Sequence, residues 1–270
     1  MITMMVLPFL ACLILTVMHT YLGQHVIERN IIFIDLALAQ MAALGGIIAL
    51  VIGFQELSTA SYVISLLSTF FGAWLITYFN SQRKSISSEV FIGILYVLAA
   101  SLAMLLISKS TVETEVIKQM LEGNILIVSL RDVIHVLLLY SLVGVAHFLF
   151  RKKIWAVTES YHQDRTVNHG WDLFFYLTFG IVVTSSVKLV GVLLVFSFLI
   201  IPAAISFMFS KHRNIRLAIG IGIGTVACMV GLFLSAILDF PTGPAIVGVF
   251  GAIFFSAFIG KILFFSRGTG

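Results

Sequence analysis

Long apolar runs alternate with short polar segments along the whole chain. Each run is close to the roughly 20 residues that an α-helix needs to cross the hydrocarbon core of a bilayer. The continuous run over 172–209 is too long for one helix of ordinary tilt, so we predict two helices with a break near Lys188 to Gly191; counted as one broken helix, it lowers the total from nine spans to eight. The nine predicted spans are 3–21, 31–53, 60–79, 90–108, 131–150, 172–188, 189–209, 215–238 and 244–264.

The composition agrees with a membrane protein. Of the 270 residues, 60% are hydrophobic and 10% are charged, whereas about 25% are charged in an ordinary soluble domain. Nine spans with short connections occupy nearly all of this length and leave no room for a folded extramembrane domain. We therefore predict an all-α polytopic membrane protein with a single transmembrane domain over residues 1–270, whose soluble functions belong to partner proteins.

The basic residues predict the orientation of the chain in the membrane. The formal net charge is +4, but Lys and Arg lie in short clusters between apolar runs, which is typical of membrane topology rather than of a nucleic-acid surface. If the segment after the first span is cytoplasmic, twelve of the 16 Lys and Arg residues lie on that side. The positive-inside rule therefore predicts an N-terminus outside and a C-terminus in the cytoplasm.

Two predicted extramembrane segments are long enough to have a role. Residues 109–130 are expected outside, where they could form an amphipathic surface helix. Residues 151–171 are expected in the cytoplasm and are the largest polar surface that the chain offers there. A cytoplasmic partner, if there is one, is expected to bind to residues 151–171.

A few polar residues inside or beside the spans are candidates for function, because ionisable groups within the hydrocarbon are costly. Asp35 lies about one turn into the second span, with Gln40 further along the same helix. The alternative for Asp35 is a hydrated group or a partner of the helix dipole. Lys188 is a second candidate, which could also snorkel to the outer surface. Asp239 lies in a turn rich in Pro and Gly, where capping of the turn competes with contact to a partner or a passing cation.

Other motifs indicate neither an enzyme nor a permanently bound cofactor. No Gly-x-Ser-Gly, His-Glu-x-x-His or paired-glutamate motif lies on a span. His135 and His147 share a span, but a spacing of 12 places them about 120° apart around the helix, so they do not form one haem-ligating face. Cys12 and Cys228 lie in apolar runs and predict neither a disulfide framework nor a zinc finger.

Glycines recur at helical spacing in the eighth span, at Gly220, Gly222 and Gly224. Small residues let membrane helices approach closely. The favoured interpretation is tight packing inside one chain, and the alternative is a subunit interface or a moving contact.

Three stretches together resemble the permease subunits of bacterial ABC importers for zinc, manganese and iron. The stretch from Val187 to Ser206 resembles that family's Val-Gly-rich run ending in Ile-Pro-Ala-Ala. Leu238 to Val247 resembles its Asp-x-Pro-x-Gly turn before the last span, and Glu122 to Val133 is similar to its Gly-Asp/Asn-Ile-Leu segment. Their order and spacing fit over nearly the whole chain.

The resemblance implies a set of partners and a location. It implies a second permease chain, identical or a paralogue, and cytoplasmic ATP-binding subunits that bind and hydrolyse the ATP. It also implies a periplasmic or extracellular metal-binding protein, which delivers a divalent zinc, manganese or iron ion as the transported substrate. The expected location is the bacterial plasma (inner) membrane, and the expected mechanism is alternating access.

The sequence departs from the family at the substrate site. Family members typically carry Asp-x-x-x-His on the second span; aligned on the following Ala-Leu-Gly, these positions are Leu36 and Gln40 here. Asp35 is displaced by one residue, or about 100° around the helix. Either the metal passes with weak, mostly hydrated contacts, or the substrate is a chelate or a different solute. On the first interpretation Asp35, Gln40 and Asp239 line the pathway.

The resemblance also suggests residues for coupling and gating. We predict that Trp155, Glu159 and Gly170 in the cytoplasmic segment receive the stroke of the ATPase, and that Lys188 and Gly191 at the helix break form part of a gate. Two other classes of protein compete with this interpretation. One is a secondary carrier or channel that works without an ATPase, and the other is a structural membrane subunit of a larger complex.

Overall fold

The computed structural model describes residues 2–55, 58–81, 87–108, 125–161 and 168–265, whose regular secondary structure is all helical, with no strand. They form one short 3₁₀ turn, Ile125–Ile127, and ten α-helices. Helices α1 to α10 are Ile2–Glu28, Ile34–Ile52, Thr59–Ser81, Ser88–Ser108, Leu130–Leu149, Arg151–Ser160, His169–Val190, Val192–Phe209, Arg213–Leu238 and Thr242–Phe265. All of them except α6 are long and apolar enough to cross a membrane, so the predicted nine spans are confirmed for the described residues.

The first helix is longer than the apolar run predicts. We expect the span to end at residue 21, but α1 continues to Glu28. The added turns carry Gln24 and His25, whose exposed fractions are 2% and 0%. Because these polar side chains are packed inside the protein, the helix does not end where the apolar run ends.

The predicted break in the long apolar run is present. Helix α7 ends at Val190 and α8 begins at Val192. Gly191 between them has φ 79° and ψ 164°, a backbone conformation that is essentially restricted to glycine. The residues from 169 to 209 therefore form two helices.

The chain divides into two compact units, and the first comprises Met1–Ile27, Glu122–Tyr140 and Leu189–Gly270. Its helices α8, α9 and α10 pack on one another, and α1 lies against α9 through glycines. A Cβ atom at Gly220 or Gly224 would overlap Thr20 or Thr16 of α1, respectively, whereas no described atom lies within 4 Å of a Cβ at Gly222. Two of the three spaced glycines therefore pack inside the chain.

The second unit comprises Glu28–Leu121 and Ser141–Lys188. Here α2 packs against both α3 and α4. The approach of α2 to α3 is close at Gly45, where a Cβ atom would lie only 2.7 Å from the Cα of Ser65. A hydrogen bond of 2.9 Å between the hydroxyls of Thr69 and Thr184 joins α3 to α7. The helices that carry Asp35 and the predicted cytoplasmic segment therefore belong to one packed unit.

The two predicted extramembrane segments are described only in part. Most of the predicted external segment, residues 109–124, lies outside the described residues. The predicted cytoplasmic segment contains α6 and the first residues of α7, and residues 162–167 between them lie outside the described residues.

Candidate functional site

Asp35 lies in the first turn of α2 and is fully buried, with 0% of its surface exposed. Neither carboxylate oxygen has a hydrogen-bond partner among the described residues. An ionised carboxylate without a partner is costly to bury, and such groups inside membrane proteins are functional candidates by default. The first turn of a helix is also where the dipole stabilises a carboxylate.

Gln40 follows Asp35 on α2 but does not share its face. Its side chain is half-buried, as is that of Leu36. Leu36 and Gln40 are four residues apart and therefore lie on one helical face, whereas Asp35 and Gln40 are about 140° apart around the helix. The geometry of α2 thus separates the two polar residues that the sequence analysis places in the pathway.

Asp239 ends α9 in a left-handed conformation, with φ 53° and ψ 38°. Asp is one of the few residues that adopt this conformation readily. Its backbone N–H donates to the carbonyl of Ser235, and the hydroxyl of Ser235 lies 2.8 Å from that of Thr242 across the turn. The side chain of Asp239 is exposed. This geometry fits the turn-capping interpretation and leaves the carboxylate at the surface.

Gly191 forms the break between α7 and α8, and Lys188 lies in the last turn before it. The Lys188 ammonium lies 4.9 Å from the centre of the Tyr62 ring, which is within the range of a cation–π interaction. Lys188 is exposed, while Gly191 is buried. The break therefore combines a backbone conformation suited to glycine with an exposed charged side chain held over an aromatic ring of α3.

The predicted coupling residues lie around α6. One face of α6 is buried, through Ile154, Val157 and Thr158. Trp155 is half-buried and Glu159 is exposed. The amphipathic pattern of α6 fixes one face to the protein and presents the other outward.

Gly170, the third predicted coupling residue, is exposed near the start of α7. It lines an open groove of about 360 Å³ together with five side chains of α3 and α7. The five are Trp74, Thr77, Tyr78, His169 and Leu173.

A buried ion pair beside α6 was not predicted from the sequence. A nitrogen of the Arg29 guanidinium lies 2.8 Å from a carboxylate oxygen of Asp172, and both side chains are 0% exposed. Arg29 Nε also donates to the hydroxyl of Thr158 on α6 at 3.0 Å, and the guanidinium lies over the Phe175 ring at 3.8 Å. From the sequence, Arg29 counts only as a positive charge that predicts membrane orientation, because its partner Asp172 is 143 residues away.

Tyr161, directly after α6, connects further groups to this ion pair. Its hydroxyl lies 3.0 and 2.9 Å from the two carboxylate oxygens of Asp172 and 2.9 Å from the Tyr176 hydroxyl. It also accepts a hydrogen bond of 3.1 Å from the Asn80 amide. Burial raises the pKa of the Tyr161 phenol well above its usual value, and the neighbouring Tyr176 and Asp172 raise it further. The neutral phenol therefore keeps its proton and donates a hydrogen bond to Asp172.

Helix α1 carries buried polar side chains that the sequence analysis also missed. Thr16, Thr20 and Gln24 are at most 2% exposed, and their spacing of four residues places them on one face of the helix. His19, also buried, has its Nδ1 at 2.9 Å from the carbonyl of Leu15. The spacing of four residues could have indicated a polar face on α1, but these residues lie in a run that is otherwise mostly apolar.

In the part of the chain that the structure describes, no three His, Cys, Asp or Glu side chains lie together so that they could hold a metal ion. The candidate pathway residues are thus single polar groups within that part.

Comparisons with known proteins identify relatives among bacterial transport proteins. The chain is 29% identical over 187 residues to a manganese transport system membrane protein, MntC, of Listeria innocua, and the match covers 67% of the chain and 65% of that protein. It is 27% identical over 260 residues to a high-affinity zinc uptake system membrane protein, ZnuB, of Buchnera aphidicola, with coverage of 94% and 97%. These relatives agree with the predicted bacterial plasma-membrane location.

The fold is also that of a solved protein chain, and the model of a sequence family matches nearly all of this chain. The structure is similar to a chain of PsaBC from Streptococcus pneumoniae in complex with Fab, with a TM-score of 0.76, 17% identity, and coverage of 94% of this chain and 91% of that one. The model of the ABC 3 transport family matches residues 1–261. Because that match covers nearly the whole chain, and because the resemblance predicts the same family, the chain belongs to the ABC 3 transport family.

Proposed function

We propose that the chain is the permease subunit of an ATP-driven importer of a divalent transition metal ion, namely zinc, manganese or iron. The family match over residues 1–261 carries this proposal. The names of the manganese and zinc relatives support a divalent metal as the class of substrate. Transport proceeds by alternating access of the substrate site to the two sides of the membrane.

The energy comes from another chain. ATP is bound and hydrolysed on a cytoplasmic ATP-binding subunit, and this chain is a transport subunit rather than an enzyme. A second permease chain, identical or a paralogue, completes the membrane part, and an external metal-binding protein delivers the substrate.

The cytoplasmic segment 151–171 is the proposed contact for the ATP-binding subunit. Its helix α6 is fixed to the protein by Ile154 and Val157, while Lys152 and Glu159 are exposed. Gly170 of the same segment lines the groove that it forms with side chains of α3 and α7 in the second unit. An exposed face on an anchored helix is suited to receive a force and pass it on.

Copurification tests this proposal. We expect that the tagged chain, extracted from its own host in mild detergent, retains an ATP-binding subunit at about one copy per permease chain. Mass spectrometry of the purified complex gives the identity and the ratio. Deletion of the chain should lower the cellular content of one of the three metals, as measured by elemental mass spectrometry. A chain that purifies alone and supports uptake without ATP would overturn the proposal in favour of a secondary carrier.

Replacement of Asp35 with Asn tests the pathway. The variant keeps the size of the side chain but removes its charge, so a cation loses the buried carboxylate that neutralises it. We expect metal uptake to fall at least about tenfold, which equals about 1.4 kcal/mol, with an unchanged amount of assembled complex. The variant is expressed in the deletion strain, where metal uptake is measured. Quantitative immunoblots of the membranes measure the amount of assembled protein.

Asp132 provides a matched control for Asp35. It is also a carboxylate in the first turn of a spanning helix, but it is exposed and caps α5 through Ser129. Asp132→Asn should leave uptake unchanged. Equal losses in both variants would indicate a general effect on helix ends, and unchanged uptake in Asp35→Asn would remove Asp35 from the mechanism.

A further inference from the structure

Six side chains of the second unit form a buried polar cluster at the base of the cytoplasmic segment. They come from α3, α6 and α7 and from the residues just after α1 and α6. The buried cluster consists of Arg29, Asn80, Thr158, Tyr161, Asp172 and Tyr176. Apart from Tyr161, each of the six is at most 6% exposed.

The cluster joins the end of α6 to the start of α7 within and directly after the proposed ATPase-contact segment. Thr158 and Tyr161 precede residues 162–167, and Asp172 follows them. Tyr161 bonds directly to Asp172, so the end of α6 and the start of α7 are held together by a charged hydrogen bond of 2.9 Å. Hydrogen bonds to ionised groups are roughly twice as strong as those between neutral groups. A displacement of α6 therefore cannot leave the start of α7 in place without breaking a strong buried contact.

The same hydroxyl also connects α6 to α3. The Asn80 amide near the end of α3 donates to the hydroxyl of Tyr161 at 3.1 Å and to that of Tyr176 at 3.2 Å. The Tyr161 hydroxyl thus meets groups from α3 and α7 within one hydrogen-bond length. Removal of this single oxygen atom removes the direct hydrogen bonds from the end of α6 to both helices, while the aromatic ring and the indirect connection from Thr158 through Arg29 to Asp172 remain.

Stability alone does not account for such a cluster. A buried ion pair often contributes less than well-packed apolar residues of the same volume, because both charges must be desolvated. A network of buried hydrogen bonds instead favours one arrangement of the elements that it joins. Its position between the exposed face of α6 and two spanning helices is suited to a mechanical link.

We propose that the buried cluster is a positioning device through which α6 and the start of α7 move together with the end of α3 when the ATP-binding subunit acts on segment 151–171. The proposal rests on the proposed function and deepens it, because it names the residues through which the partner's action reaches the spanning helices. In the cluster, Tyr161 is the connecting residue, and Arg29 fixes Asp172 and Thr158 in place.

The Tyr161→Phe variant tests this link in the complete transporter. The complex with its ATP-binding subunit and external binding protein is reconstituted in liposomes, and Mn²⁺, Zn²⁺ and Fe²⁺ are tried one at a time. We expect ATP hydrolysis within about twofold of the wild type and at least about a fivefold fall in metal transported per ATP hydrolysed. A loss of folded protein would lower both rates equally and leave their ratio unchanged.

Two further variants sharpen the test. Tyr96→Phe removes the phenolic hydroxyl of half-buried Tyr96 on α4, outside the cluster. It should leave the amount of metal transported per ATP hydrolysed unchanged. Arg29→Lys keeps the charge but loses the planar fork, and it should lower the ratio like Tyr161→Phe. An unchanged ratio in both Tyr161→Phe and Arg29→Lys would overturn the link. If the wild-type complex moves none of the three metals with ATP, the proposed function itself fails instead.

Discussion

Replacement of Arg29 with Met is expected to destabilise the protein strongly, because it leaves Asp172 buried without its cation. The two groups are 2.8 Å apart and both are 0% exposed. Breaking a buried ion pair by removal of one partner costs about 3–5 kcal/mol. We expect a fall of that size in the free energy of unfolding, measured by SDS titration in mixed micelles.

A double variant separates the broken pair from a simple loss of packing. In Arg29→Met with Asp172→Leu no charge is left uncompensated, and apolar replacement of a whole buried pair is often close to neutral. Most of the lost stability should therefore return. Arg131→Met, at an exposed position of α5, should change stability by less than about 0.5 kcal/mol. A double variant as unstable as the single one would contradict this explanation.

Replacement of Gly231 with Ala is expected to disrupt the packing of α9 against α10. A Cβ atom at this position would lie 2.7 Å from the Cα and 2.7 Å from the Cγ1 of Ile246. Since the Cα belongs to the backbone, the clash cannot be relieved by a side-chain rotation, and the two helices must separate. Overpacking of this kind costs about 1–3 kcal/mol, which should appear as a lower thermal unfolding midpoint in detergent.

Gly222 on the same helix is the matched control. No described atom lies within 4 Å of a Cβ at this position. Ala is favoured over Gly in a helix interior by up to about 1 kcal/mol, so Gly222→Ala should leave the midpoint unchanged or raise it. The two substitutions are chemically identical, but only Gly231→Ala should lower the midpoint. Equal effects would show that the approach of α9 to α10 at Gly231 does not limit stability.

The candidate site was predictable only in part. Asp35 stands out in an apolar run as an ionisable residue, and the structure buries it in α2; its place in the pathway stays a prediction. Its angular separation from Gln40 also follows from helix geometry alone. The sequence analysis did not predict that α6 is anchored by Thr158, or that Tyr161 meets Asn80 and Asp172. These contacts depend on which helices are neighbours, and hydropathy does not encode that.

The sequence by itself determined the number of membrane-spanning helices, the break near Gly191 and the family. The physical reason is local: each span must satisfy its own backbone hydrogen bonds in hydrocarbon, so about 20 consecutive apolar residues identify it without reference to the rest of the chain. Only the tertiary structure decided which polar residues meet. Arg29 and Asp172 are 143 residues apart, and their pairing depends on the packing of helices whose apolar surfaces are nearly interchangeable, because lipid and protein interior are similarly apolar.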